Sequence, residues 1–212
     1  MPKSLMGAFR KNKTNTIKAR VGRYSNKTRK NMNIIIFGSQ YGTARQYAEE
    51  LGRRTNTEVR SYKDVTDIND YDTIIYIGAL YAGGVLGMKE TLGKLTTCQG
   101  KKVVIATVGL ADPRDSNNVE SIRNSIRHQL PPTLFEVAHI YHLRGCIDYS
   151  QLTLKHKAMM WMVYKKALKM PEKERTAEVR AMIETFNKQV DFTDFNSLGG
   201  LIDDLKTDSL IS

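Results

Sequence analysis

The chain should fold as one α/β domain in which five parallel strands are doubly wound, with helices on both faces and a helical insertion after the fifth strand. Three observations predict this. From Asn33 onward, short apolar strands alternate with amphipathic helices at regular spacing. The strands are continuous apolar runs, as expected of strands buried on both faces. At 212 residues, 41% hydrophobic and 26% charged, the chain can bury one good core, and no composition break after residue 32 asks for a second domain.

The N-terminal tail, residues 1–31, stands apart. Ten of the 33 basic residues and none of the 22 acidic ones lie there, leaving 23 basic against 22 acidic residues in the body from Met32 to Ser212. The net charge of +11 is therefore a property of the tail, and the near-neutral body offers no spread of cations to a nucleic-acid backbone. With few apolar residues and no periodic face, the tail is expected to be disordered. Translation beginning at Met32 is the preferred explanation, with a transit-type leader or an arm for nucleic acid or anionic lipid as the alternatives.

Within the body, Ile34–Phe37 reads as the first strand, and Thr43 opens the first helix, whose Ala44, Tyr47, Ala48 and Leu51 form one stripe. Thr57–Tyr62 reads as the second strand, and Lys63–Tyr71 is too short a connection for a full covering helix. Thr73–Ile77 is the third strand, followed by a helix carrying Met88, Leu92 and Leu95. Lys102–Val108 is the fourth, followed by a helix with Val119, Ile122 and Ile126, and Phe135–His142 is the fifth. Leu198, Leu201, Ile202 and Leu205 mark the last helix. Between them lies an insertion of residues 148–196 with expected helices over Leu152–Met170 and Thr176–Lys188.

Directly after the first strand comes Ser39-Gln40-Tyr41-Gly42-Thr43-Ala44, a tight turn opening a helix. A helix N-terminus offers free N–H groups and positive potential, glycine allows close approach, and hydroxyls donate further bonds, so the turn suits a phosphate. No Walker lysine follows and the spacing is not GxGxxG, which favours the phosphate of FMN over ATP or NAD. Two further loops leave the same sheet edge, Gly78–Gly87 and Gly109–Asn118, where an open α/β sheet places its ligand crevice.

These residues resemble the flavodoxins, and within them the flavodoxin-like proteins related to menaquinone-dependent protoporphyrinogen dehydrogenase. Ser39-Gln40-Tyr41-Gly42-Thr43 is similar to the family's phosphate loop, Tyr71-Asp72 leads into the third strand as it does there, and Gly78-Ala79-Leu80-Tyr81-Ala82-Gly83-Gly84 is similar to the first flavin-ring loop. The insertion also resembles that family's. The resemblance implies strand order 2-1-3-4-5 and FMN as cofactor. It implies phosphate contacts from Ser39, Gln40, Tyr41, Gly42, Thr43 and Ala44. Ring contacts would come from Leu80, Tyr81, Ala82, Gly83 and Gly84 and from Gly109, Leu110, Ala111 and Asp112. Flavodoxins usually carry Thr where this chain has Ala44, and Thr43 is the candidate substitute.

Three function classes follow, the first two separated by whether a pocket adjoins the flavin ring. The preferred one is an FMN-dependent oxidoreductase of the protoporphyrinogen dehydrogenase type, acting on a quinone or tetrapyrrole. The alternatives are a one-electron carrier docking a redox partner protein and a cofactor-free interaction module. The insertion favours the enzyme, and the near-neutral body lacks the acidity that would steer a carrier toward basic partners. No positioned acid or base is legible, so no catalytic residue is assigned. The apolar run Ala158–Val163, rimmed by Lys155, Lys157, Lys165, Lys166 and Lys169, reads either as a helix packed against the domain or as a surface that meets a membrane, quinone or tetrapyrrole through 155–169, and on the second reading Met159 and Trp161 are expected to wall the pocket. His139 and His142 fall on opposite faces of the fifth strand, and Cys98 and Cys146 lack metal-ligand spacing, so no metal is expected. The longest apolar run, Ala158–Val163, is far short of the ~20 residues that span a bilayer. A cytoplasmic location is the default, with the inner membrane face as the alternative.

Overall fold

A computed structural model describes residues 31–81 and 83–207. The expectations for residues 1–30 and for Ala82 therefore lie outside the described residues.

The central sheet is parallel in the order β2-β1-β3-β5-β6. Its strands are β1 (Asn33–Gly38), β2 (Glu58–Ser61), β3 (Thr73–Tyr81), β5 (Lys102–Gly109) and β6 (His139–Arg144). A two-residue strand, β4 (Gly84–Val85), turns back antiparallel on β3 so that Leu80 opposes Val85 and Tyr81 opposes Gly84. This is the order implied for five strands, with the chain reversing direction across the sheet between β1 and β3. In-register pairs such as Ile34–Ile74 and Ile74–Val103 run the apolar residues side by side.

The strand period of two sends alternate residues to two cores. Ile34, Ile36, Ile74, Tyr76, Val103 and Ile105 face α2 (Met88–Leu92), α3 (Ser116–Gln129) and α4 (Pro132–Val137). Ile35, Ile75, Ile77, Val104 and Ala106 face α1 (Thr43–Thr55) through Tyr47 and Leu51 and α7 (Gly199–Thr207) through Leu201, with Leu198, expected on the last helix, packing instead from the 3-10 turn Phe195–Leu198 just before it. The Lys63–Tyr71 connection forms no helix and covers its share of the sheet with Val65 and Ile68.

Three expectations are corrected. The fifth strand does not begin at Phe135, because Pro132 fixes the first turn of α4, which buries Leu134 and Phe135, and the strand starts only at His139. Leu95 lies beyond the end of α2, though it still packs on the core. The insertion's helices are shorter than expected: Thr153 caps the start of α5 (Leu154–Lys169), while α6 (Ala177–Thr185) begins after its Thr176 cap and ends where the backbone leaves helical geometry at Phe186, followed by a left-handed Asn187. The ends of the insertion pair as a small antiparallel sheet, β7 (Cys146–Asp148) with β8 (Gln189–Asp191).

Candidate functional site

At the carboxyl edge of the sheet the β1–α1 turn is held by its own side chains. Gly42 takes a φ of +104°, and its N–H donates to Ser39 Oγ over 3.0 Å. A residue with a Cβ would be strained at that angle. No side chain caps α1 and no acid occupies its first turn, so the leading N–H groups keep their positive potential. Thr43 is nearly buried with Oγ1 3.0 Å from Cys146 Sγ, and Ala44 is fully buried against the core.

The loop after β5 is anchored from below. Arg144 Nη2 donates to the Leu110 carbonyl at 2.9 Å, with its guanidinium stacked 3.7 Å from the Phe192 ring, and Gly145 N–H donates to Gly109 O at 2.8 Å. Asp112 turns away to Arg114, whose hydrogen bonds hold its carboxyl down at about 2. Asp115 caps α3 through Asn117 and Asn118 N–H. Opposite, Ser125 Oγ donates to Gly83 O and Val85 N–H to Gln129 Oε1, fixing the turn that joins β3 to β4.

A cavity of about 550 Å³ opens between these loops and the insertion, within the size range of small-molecule sites. Ser39, Gln40, Tyr41, Thr43 and Ala44 line it from the first loop, Leu80, Tyr81 and Gly83 from the second, and Gly109 and Leu110 from the third. Gly42 shapes its turn without lining the cavity. Gly84 instead lines a separate open cleft beside Gln129, Ala111 is buried in a small recess behind the third loop, and Asp112 lies outside the cavity. No lysine or arginine lines the cavity among the described residues.

The insertion supplies the far wall. His156, Met159, Met160 and Val163 of α5 face it at helical spacing i, i+3, i+4 and i+7, joined by Glu178 and Met182 of α6. Trp161 does not, being 54% exposed on the outer face with Lys165 Nζ 5.6 Å from its ring centre. The expected pairing of Met159 with Trp161 is thus corrected. Two residues apart on a helix means about 200° of rotation, so one side chain faces in and the other out.

His156, which the sequence did not single out, joins the first two loops. One ring nitrogen meets the Tyr41 hydroxyl and the other lies 3.1 Å from the Tyr81 hydroxyl. Both rings meet the imidazole edge-on, with centroids 5.6 and 6.0 Å away. A neutral imidazole has one donor and one acceptor nitrogen, so one tyrosine hydroxyl donates and the other accepts.

Elsewhere, His139 pairs with Asp204 on the surface, while His142 is half-buried with Nδ1 2.8 Å from Thr107 Oγ1. Burial, helped by the Arg123 charge, pushes His142 down to about 4. Cys98 and Cys146 are free thiols. Among the described residues no cluster of His, Cys, Asp or Glu could hold a metal, and no helix is long and apolar enough to cross a membrane.

A family model described as a flavodoxin domain matches residues 34–174. No curated protein sequence matches the chain. Similar solved structures include a flavoprotein from Bacteroides uniformis, 11% identical over 63% of this chain and 99% of that one, with a TM-score of 0.40. A flavoprotein from Lactobacillus acidophilus in complex with FMN is 13% identical over 54% and 93%, with a TM-score of 0.36. A variant flavodoxin from Pseudomonas aeruginosa is 16% identical over 64% and 97%, with a TM-score of 0.34.

Proposed function

The chain belongs to the flavodoxin-domain family, and from that premise we propose that it is an FMN-dependent oxidoreductase acting on an apolar quinone or tetrapyrrole. The observation that carries this reading is the shared cavity. One wall is the set of three loops expected to hold the cofactor, and the other is the Met-rich face of the insertion.

The residues present fit FMN. The uncapped N-terminus of α1, the left-handed Gly42 and the Ser39 and Thr43 hydroxyls form a cradle for a phosphate that needs no lysine. Tyr81, Gly83, Gly109 and Leu110 would flank the ring, with the Leu110 carbonyl fixed by Arg144. Bound there, FMN would supply one- and two-electron redox chemistry. Met159, Met160, Val163 and Met182 would exclude water and adapt to an apolar partner of irregular shape. A protoporphyrinogen dehydrogenase-type activity accords with that wall.

The carrier alternative requires only an exposed ring edge, and the insertion stands over the same opening. The cofactor-free alternative would require the Ala44 change to abolish FMN binding, and the uncapped α1 N-terminus with the Thr43 hydroxyl one position earlier supports the phosphate cradle instead. On its outer face α5 carries exposed Trp161, Met162 and Leu168 beside its lysines, which supports peripheral contact with a membrane surface.

The test is to reconstitute the chain with FMN and compare menaquinone analogues, protoporphyrinogen and reduced ferredoxin as redox partners. Turnover with the apolar partners is expected. FMN binding with exchange only to ferredoxin would restore the carrier reading.

A further inference from the structure

The two loops expected to flank the ring line the cavity with the side chains of Ala79, Leu80 and Tyr81 from one and Val108 and Leu110 from the other. Among these Tyr81 alone carries a polar group. Its backbone pairs with Gly84 across the turn from β3 to β4, so the ring stands on a fixed base.

The Tyr81 hydroxyl is the inner end of a chain of three side chains. It lies 3.1 Å from His156 Nε2, and His156 Nδ1 meets the hydroxyl of Tyr41. All three line the cavity, but Tyr41 is 44% exposed whereas His156 and Tyr81 are half-buried. The chain therefore runs from solvent at Tyr41 to the cavity at Tyr81.

Proton positions decide what such a chain can do. A neutral imidazole has one N–H, and a phenol can accept a hydrogen bond while donating its own proton elsewhere. With the imidazole proton on Nε2, Tyr41 O–H donates to Nδ1 and Nε2–H donates to the Tyr81 oxygen. The Tyr81 O–H is then free for an acceptor in the cavity. With the proton on Nδ1 the directions reverse, and Tyr81 donates to Nε2. Passing from the first arrangement to the second moves one proton along each link and delivers one at the Tyr81 end.

Resting on the FMN oxidoreductase reading, we propose that Tyr81 is the catalytic residue that hands a proton to the redox substrate, refilled from solvent through His156 and Tyr41. The substrate class is an apolar molecule that gains or loses protons at oxygen or nitrogen along with its electrons. Reduction of a quinone to a hydroquinone takes two electrons and two protons. Both electrons and one proton reach one carbonyl from the reduced cofactor. At the other carbonyl, the Tyr81 O–H bond breaks and a new O–H bond forms on the quinone oxygen. Tyr81 is reprotonated from Nε2, Nδ1 takes the Tyr41 proton, and water restores Tyr41. Exchange of the imidazole with water returns its proton to Nε2. Oxidation of a substrate runs the same transfers backward.

A relay has a use here because the far wall is made of Met159, Met160, Val163 and Met182. A substrate seated against that wall displaces the water that would otherwise carry the proton, whereas hydrogen-bonded side chains stay in place.

The test uses the FMN-loaded chain, photoreduced and mixed in stopped flow with a menaquinone analogue, which takes up protons, or with ferricyanide, which takes one electron and no proton. Tyr81→Phe keeps the aromatic ring and removes only the hydroxyl. The ratio of quinone to ferricyanide rates should fall about a hundredfold, as expected for loss of a general acid. His156→Ala should lower it similarly, with recovery on adding imidazole but not pyrazole, whose adjacent nitrogens cannot bridge the two hydroxyls. In the cofactor-free chain, nitrogen NMR of the His156 ring should show Nε2 shifted by Tyr81→Phe and Nδ1 by Tyr41→Phe. An unchanged ratio in Tyr81→Phe, imidazole rescue no better than pyrazole, or ring nitrogens indifferent to both substitutions would each overturn the proposal. A wild-type chain that binds FMN yet reduces no quinone sinks the underlying enzyme reading and this proposal with it, whereas an unchanged ratio alongside active quinone reduction refutes only the relay.

Discussion

The Tyr81 hydroxyl lies 3.1 Å from Nε2 of His156, and through the opposite nitrogen of that ring the insertion also grips Tyr41. His156→Phe keeps a ring but removes both bonds. At about 1 kcal/mol each, melting should drop by several degrees and FMN release should quicken about tenfold. Stopped-flow release and calorimetry on one sample check this, and unchanged values for both would show the bridge to be idle.

Thr43 stands at the start of α1 with its hydroxyl beside Cys146 Sγ. Thr43→Ala should weaken FMN by about 1–3 kcal/mol, the value of a hydrogen bond to a charged group, and leave riboflavin almost unaffected. Equal losses for both ligands in fluorescence titrations would mean that the phosphate sits elsewhere.

Met159 faces the cavity and Trp161 faces solvent, so substitutions two positions apart should differ. Met159→Ser is expected to impair turnover of an apolar quinone severalfold while FMN affinity persists. Trp161→Ser should leave turnover of a dissolved quinone near wild type. If the tryptophan change proves the more damaging in solution assays, α5 is turned the other way.

Asp204 ties α7 to the sheet through Lys102 Nζ at 3.0 Å and His139 Nδ1 at 2.8 Å. Its burial favours the protonated form, but the hydrogen bonds from Lys102 and His139 outweigh it, and the net pKa is lowered. The stabilisation is therefore complete above the unfolded value of about 3.9 and is lost as pH falls through the lower folded value. Asp204→Asn should cost about 2 kcal/mol at neutral pH and progressively less in acid. Urea melts at a series of pH values would reveal any gap that failed to narrow.

Met32 N–H donates to Asp72 Oδ2 at 2.9 Å, and Met32 O accepts from Asp72 N–H at 2.8 Å. A chain beginning at Met32 would set its ammonium against that carboxylate, so it should melt within a few degrees of full length and bind FMN equally. A large loss of either would assign residues 1–31 to the fold.

The strands and the first loop were legible because each depends on neighbouring residues: apolar runs give strands, and a glycine turn with hydroxyls opens a helix, whereas the sheet order was implied only by the resemblance to flavodoxins. The fifth strand was misread where Phe135 and Val137 alternate like a strand, although Pro131-Pro132 just before them signals a helix start. His156 escaped notice for a different reason. His156 meets Tyr41 and Tyr81 across 115 and 75 residues of chain, and no local pattern encodes such proximity. One clue was available, since His156, Met159, Met160 and Val163 share a helical stripe that could have marked the inward face.

The pairing of β7 with β8 means that the insertion leaves and re-enters the domain at almost the same point, Asp148 beside Gln189. The roughly forty residues between them behave as a cassette clipped at its base. Closing such a loop becomes only about 0.6 kcal/mol harder each time its length doubles. The roof over the cavity can therefore be lengthened, shortened or exchanged with little strain on the cradle beneath, which makes substrate choice and cofactor grip separately adjustable on a single chain.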